Sequence, residues 1–292
     1  MNDDSGSKPA LWLRIAQFPV TRLLLVGGIV FALIAFNNGF RTKLASSPAL
    51  ATAVTAGMAA VALGVYLCVA RYLERRSVPE LALPRMGREF GVGALIGVGL
   101  YSLAVLALMM LGMYRIDGLN PWTYLLPAIP MALSSGFFEE LLFRGVLFRI
   151  VEESLGSWIA LAVSSLLFGF VHLLNPAGTV LGAVFISVEA GVLLGAAYML
   201  TRRLWMSMGF HMAWNYTQSG VFSGIVSGGV NDPGLIRATI KGPAMLTGGS
   251  FGLEASLIAF VLCTLTGVTL LVMAVRRGDI VPAFWNRKPR AA

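Results

Sequence analysis

Charge is what this 292-residue sequence has least of: 12% of residues are Asp, Glu, Lys or Arg, against 57% hydrophobic. A water-soluble domain carries roughly 25% charged residues, so water is excluded as the solvent for most of this surface. Only two cysteines are present, Cys68 and Cys263, each inside an apolar run. They make neither a disulfide framework nor a zinc knuckle. The polar start, MNDDSGSKPALWLR, has no compact secretory leader with a small-residue cleavage site, and the first apolar run is expected to stay as an anchor. There is no internal repeat and no low-complexity tract. The net charge of +8 is not gathered into a basic stripe or a stacking module, which argues against a nucleic-acid partner.

What is present is a series of long apolar runs. A helix needs about 20 apolar residues to cross the hydrocarbon core, and eight candidate spans meet or approach that length: 22–40, 49–70, 90–114, 122–151, 157–174, 178–200, 204–227 and 253–275. The expected fold class is therefore all-α, a polytopic transmembrane bundle with a cavity inside the membrane. The chain divides into an N-terminal segment (1–21), one helical membrane domain (22–275) with its functional core at about 85–225, and a basic tail (276–292). GVGALIGVG at 91–99 offers small residues for close helix contact. The stretch 228–250, Gly-rich and broken by Pro233 and Pro243, reads as a loop.

Eight spans put both termini on one side. With that side cytoplasmic, only Arg41, Lys43, Arg115, Arg237 and Lys241 fall outside, leaving seventeen of the 22 basic residues inside. The split follows the positive-inside tendency. Lys8, Lys288 and Arg290 count among the seventeen. The expected location is a bacterial-type plasma membrane, with lipid as the surrounding partner.

The polar residues within the spans carry the chemistry. The fourth span holds FFEELLFRG, with Glu139, Glu140 and Arg144; the fifth holds FGFVH, from Phe168 to His172; the seventh holds GFHMAWN, with His211 and Asn215. His172 and His211 are the only histidines in the chain. Ionisable groups at such depth cost a few kcal/mol each unless paired or facing a wet cavity, so they mark function by default. Glu140 and Arg144 are i, i+4 and share a helix face. Glu139 is turned about 100° away, so one glutamate is neutralised and its neighbour is left available. At about 1.5 Å per residue, Glu139 lies roughly 18 Å from the cytoplasmic end of its helix, His172 roughly 22 Å, and His211 to Asn215 roughly 10–16 Å. The depths overlap. Glu189, in the sixth span, is read as a hydrogen-bonded structural acid, with a place on the cavity wall as the alternative. Ser134–Ser135 has no basic partner nearby in sequence, and GYSxG-type text is absent, so no serine nucleophile competes.

EELLFR fits EExxxR, FGFVH fits FxxxH and HMAWN fits HxxxN, in that order, and over about residues 85–225 the chain resembles the CPBP (ABI) family, which includes the type II CAAX prenyl endopeptidases. The resemblance implies an eight-helix fold with a cytoplasm-facing cavity. It also implies cleavage of a peptide bond near the C-terminus of a peptide or protein substrate, lipidated or not. Glu139 would activate the attacking water, with His172 orienting or deprotonating it; His211 and Asn215 would hold the oxyanion; Glu140 and Arg144 would support Glu139, and Phe168 belongs to the second motif. Two histidines and a glutamate are also a catalytic zinc set, so Zn2+ on Glu139, His172 and His211 is one alternative. The chain has no HExxH helix, and a glutamate-activated water needs no metal, so no required cofactor is the expectation. A proton-coupled transporter is a competing reading, but its inverted repeats are not visible. A non-proteolytic immunity or scaffold member is another.

Overall fold

The computed structural model describes residues 11–230 and 232–287. Lys8, Lys288 and Arg290, the first ten residues of the N-terminal segment and the last five of the tail lie outside the described residues. The chain forms α1 (Pro19–Lys43), α2 (Pro48–Leu73), α3 (Met86–Met110), α4 (Trp122–Leu155), α5 (Ser157–Leu174), α6 (Val180–Thr201) and α8 (Leu257–Arg277), and these seven are long and apolar enough to cross a membrane. Between α6 and α8 lies α7, Trp205–Tyr216 continued by a π turn over Thr217–Val221. Apolar side chains point outward from the bundle, as Leu95 on α3 and Leu265 on α8 do at 75% and 62% exposure. Such a surface is stable against lipid and not against water. The chain is a polytopic, all-α integral membrane protein.

α7 falls short of the expected 204–227 for a physical reason. Phe210, His211, Trp214, Asn215, Thr217 and Gln218 are all buried, so this helix faces protein rather than lipid. Beyond it the chain continues as irregular backbone, which is tolerated at membrane depth only where protein or a cavity covers it. The segment read as a loop also holds a strand. β1 (Tyr114–Leu119) pairs antiparallel with β2 (Ile236–Ile240), with a register irregularity between Ile116 and Gly118.

One end of the bundle is closed by ion pairs. Glu74, just past α2, accepts from Arg22 at 3.0 Å, Arg76 at 2.5 Å and Arg149 at 2.8 Å. Arg76 also pairs with Glu80 at 2.8 Å, and Arg202 with Glu152 at 2.5 Å. Arg203 pairs with Glu89. Ser157 and Val281 exchange hydrogen bonds of 3.0 and 2.8 Å. Burial alone would raise the Glu74 carboxyl, but Arg149 and Arg76 outweigh it and hold the group below the ordinary carboxylate range. These residues belong to the start of α1, α3 and α5 and to the end of α2, α4, α6 and α8. The helices therefore alternate in direction, α7 included, and the beginning of α1 and the end of α8 share one end. The strand pair lies at the other.

Two glycines set the position of α7. A Cβ on Gly93 would stand 2.1 Å from the Met206 carbonyl oxygen, and one on Gly97 would stand 2.6 Å from that of Phe210. The backbones of α3 and α7 thus touch, through the inner glycines of GVGALIGVG. Gly91 and Gly99, the outer pair, meet nothing within 4 Å. A further junction was not anticipated: Asn37 of α1 donates to Ser134 of α4 at 2.9 Å and accepts from Thr55 of α2 at 3.0 Å. It is fully buried, and acts as interhelical polar glue.

Candidate active site

The middle of α4 is wound as π turns, Ser135–Glu139 and Leu141–Phe148, on either side of Glu140. Such turns are rare and recur where a helix must aim particular side chains. Glu140 and Arg144 are fully buried and form the expected i, i+4 pair at 2.9 Å. The Arg144 guanidinium also donates to the Gly191 carbonyl at 3.1 Å, in a π turn of α6 over Ser187–Val192. Its face stacks over the Phe168 ring, 4.6 Å from guanidinium carbon to ring centre. Phe168, buried in the core, is therefore an organising surface as well as packing.

Glu140 has a second role. The oxygen that accepts from Arg144 also accepts from His211 Nδ1 at 2.9 Å. A carboxylate can only accept, so Nδ1 carries a proton, and Nε2 is turned away from Glu140. That nitrogen faces Glu139 Oε2 at 3.9 Å, too far for a direct hydrogen bond. Glu139 Oε2 is itself sealed and has no hydrogen-bond partner among the described residues, while the Glu139 side chain as a whole is 26% exposed. The two neighbouring glutamates thus divide as their rotation predicts, one bound and one available. Glu140, which the resemblance sets with Arg144 in support of Glu139, also holds His211.

His172 ends the regular part of α5. Its Nδ1 lies 2.7 Å from the Phe168 carbonyl oxygen and must be the donor, and among the described residues no hydrogen bond reaches Nε2. Its ring and that of His211 both stand edge-on to Phe168, at centroid distances of 5.1 and 5.8 Å. Asn215, one turn beyond His211, donates to Ser135 Oγ at 2.8 Å, and Ser135 donates to the Ala132 carbonyl at 3.2 Å. The Ser134–Ser135 pair is therefore an anchoring point for Asn37 and Asn215. Neither serine is held by a base.

Among the described residues, no three His, Cys, Asp or Glu side chains converge as a metal-ligand set. Glu139, His172 and His211 in this arrangement do not fit zinc.

His172, His211 and Asn215 also line a small cavity of about 20 Å3, room for a water molecule. Its other wall includes Glu189 of α6, Cys263 of α8, and Ser227 and Glu254 from the irregular segment. Glu189 is buried on this wall, and among the described residues no hydrogen bond reaches its side chain. The reading of Glu189 as a hydrogen-bonded structural acid gives way to its alternative, the cavity wall. Glu254 went unremarked in the sequence. The only signal was an acid in Gly-rich text beside the last apolar run, and nothing in that text ties it to α7.

Residues 121–217 match the family model described as Type II CAAX prenyl endopeptidase Rce1-like. The match covers about a third of the chain, from α4 into α7, and contains all three motifs. No curated protein and no solved structure matches the chain. The match supports the likeness to CAAX-type intramembrane endopeptidases that the motifs carry.

Proposed function

We propose that this chain, whose Rce1-like segment holds Glu139, Glu140, Arg144, His172, His211 and Asn215, hydrolyses a peptide bond within the membrane by a water that Glu139 activates without a metal. The observation that carries the reading is the 3.9 Å gap between Glu139 Oε2 and His211 Nε2. The gap sets a carboxylate acceptor and an imidazole nitrogen face to face with no direct hydrogen bond between them. Glu139 accepts the water proton as hydroxide adds to the carbonyl carbon, then returns it to the leaving amine. The charges of Glu139, Glu140 and Arg144 sum to one negative charge, and an imidazolium at His211 brings the group to neutrality. That state offers Nε2–H to the tetrahedral oxyanion, and Asn215 adds the amide hydrogen that Ser135 does not take. His172 presents its free Nε2 to the same space and orients the water.

The substrate in this reading is a lipidated or membrane-associated protein cut near its C-terminus. Cells producing Glu139→Gln in place of the wild type are expected to accumulate uncleaved C-terminal peptides, identified by mass spectrometry of the membrane fraction. Identical C-terminal peptide profiles in the two strains would remove the protease reading.

The same proposal makes the ion-paired end cytoplasmic, with both termini on that side of a bacterial-type plasma membrane. Seventeen of 22 basic residues motivate it. Single cysteines at Ser46 and Ser77, both exposed and at opposite ends, are introduced with the exposed Cys68 replaced. An impermeant maleimide applied to intact cells is expected to label position 46 and spare position 77; the reverse pattern inverts the orientation.

A further inference from the structure

Two acids line the cavity that the histidines also line, and their surroundings are opposite. Glu254 is 6% exposed and fully served: Trp214 Nε1 donates to one oxygen at 3.0 Å, and the Ser227 amide and hydroxyl donate to the other at 2.6 and 2.8 Å. Three donors converging on a buried carboxyl are the environment of an ionised carboxylate. Glu189 is 2% exposed. Among the described residues its side chain takes no hydrogen bond and pairs with no cation, and its Oε2 is sealed from solvent. The groups facing it from the packed elements are the Glu254 carboxylate, the Cys263 thiol, and the rings of His172 and His211. None is a fixed positive charge.

A second bare carboxylate opposite Glu254, in a space that holds one water, has nothing to offset either its desolvation or the repulsion. A neutral carboxylic acid has neither problem, and it carries a proton that can be given away. His172 lines the same cavity, and with Nδ1 committed to the Phe168 carbonyl its neutral ring offers Nε2 as an acceptor.

We propose that Glu189 rests as a protonated acid and serves the site as a proton store for His172, exchanging its proton with Nε2 through the cavity water. This rests on the hydrolytic reading above. As the oxyanion forms, the Glu189 O–H bond breaks toward the water, the water passes a proton to His172 Nε2, and Glu189 is left as carboxylate. When the intermediate collapses the proton returns by the same path, so each turnover consumes no net proton at Glu189. Glu189 touches neither substrate nor the attacked carbonyl, and is a positioning residue.

The test uses the full-length protein in an ester-free detergent. The infrared difference between wild type and Glu189→Gln at neutral pH is expected to contain the carbonyl stretch of a protonated carboxylic acid, shifted in deuterium oxide. Gln mimics the neutral acid in shape, so its thermal unfolding is expected to match wild type. Its kcat is expected to fall by about a hundredfold, the lower end of what positioned proton transfer contributes, at unchanged KM and with an altered pH profile. Glu189→Asp, which keeps a carboxyl, is expected to move the infrared band rather than abolish it and to recover part of kcat. Absence of the band, or destabilisation by Gln but not by Asp, would show that Glu189 is charged and overturn the proposal. A band that disappears while kcat and its pH profile stay unchanged would make the proton structural and overturn the relay. Normal turnover by Glu139→Gln strikes the hydrolytic mechanism instead, and leaves the infrared measurement of Glu189 intact.

Discussion

Purified Glu139→Gln is expected to unfold at the wild-type temperature and to cleave peptide about 100- to 10,000-fold more slowly, the range that a positioned general base supplies. The substitution keeps the side chain's size and removes only its ability to take a proton. Stability is spared because Glu139 bonds to nothing among the described residues; its sealed oxygen has no partner to lose. Glu140→Gln is the informative contrast. There the amide replaces the oxygen that holds both Arg144 and His211, so activity and stability fall together. Turnover by a folded Glu139→Gln within a factor of a few of wild type would end the proposed mechanism.

Arg144→Ala is expected to be the most destabilising single substitution in the site, by about 3–5 kcal/mol, the cost of leaving a buried charge without its partner. Three contacts disappear at once: the Glu140 pair, the Gly191 carbonyl and the face of Phe168. Lysine would not substitute, because a single ammonium cannot reach a carboxylate and a carbonyl in a fixed fork while stacking on a ring. Adding Glu140→Gln to Arg144→Ala removes the stranded charge, so the double variant should lose less than the two single losses added together. Denaturant unfolding of the four proteins gives the coupling. Strict additivity would show that the two side chains do not act as a pair.

The sequence was informative wherever a property depended on neighbours within one helix. Seven of the eight spans come within several residues of the helices, because apolar run length follows directly from membrane thickness, whereas 204–227 overshoots its helix. The division between Glu139 and Glu140 was legible for the same reason, since helical rotation fixes it locally. Contacts between helices were not. Asn37 with Ser134, Asn215 with Ser135 and Trp214 with Glu254 join positions 97, 80 and 40 residues apart, and no periodicity announces them. The π turns around Glu140 were equally hidden, because they answer to what packs on α4 rather than to its own text. The contact of Glu140 with His211 is hidden with them, since it depends on those turns and on the position of α7.

The Arg144–Glu140 pair has a consequence for how the protein is made. Chains are synthesised from the N-terminus, so α4 enters the membrane before α6 and α7 exist. Inserted alone, a charged residue at the centre of a helix costs about 2.5–3.5 kcal/mol, and the later partners, Gly191 and His211, are not yet there to help. The one contact that needs no other helix is the i, i+4 pair, which lies wholly within α4. It lets the nascent helix cross with the Arg144 charge already offset, and the same Glu140 oxygen then waits for His211 to arrive. Assembly order and final geometry are served by one oxygen atom.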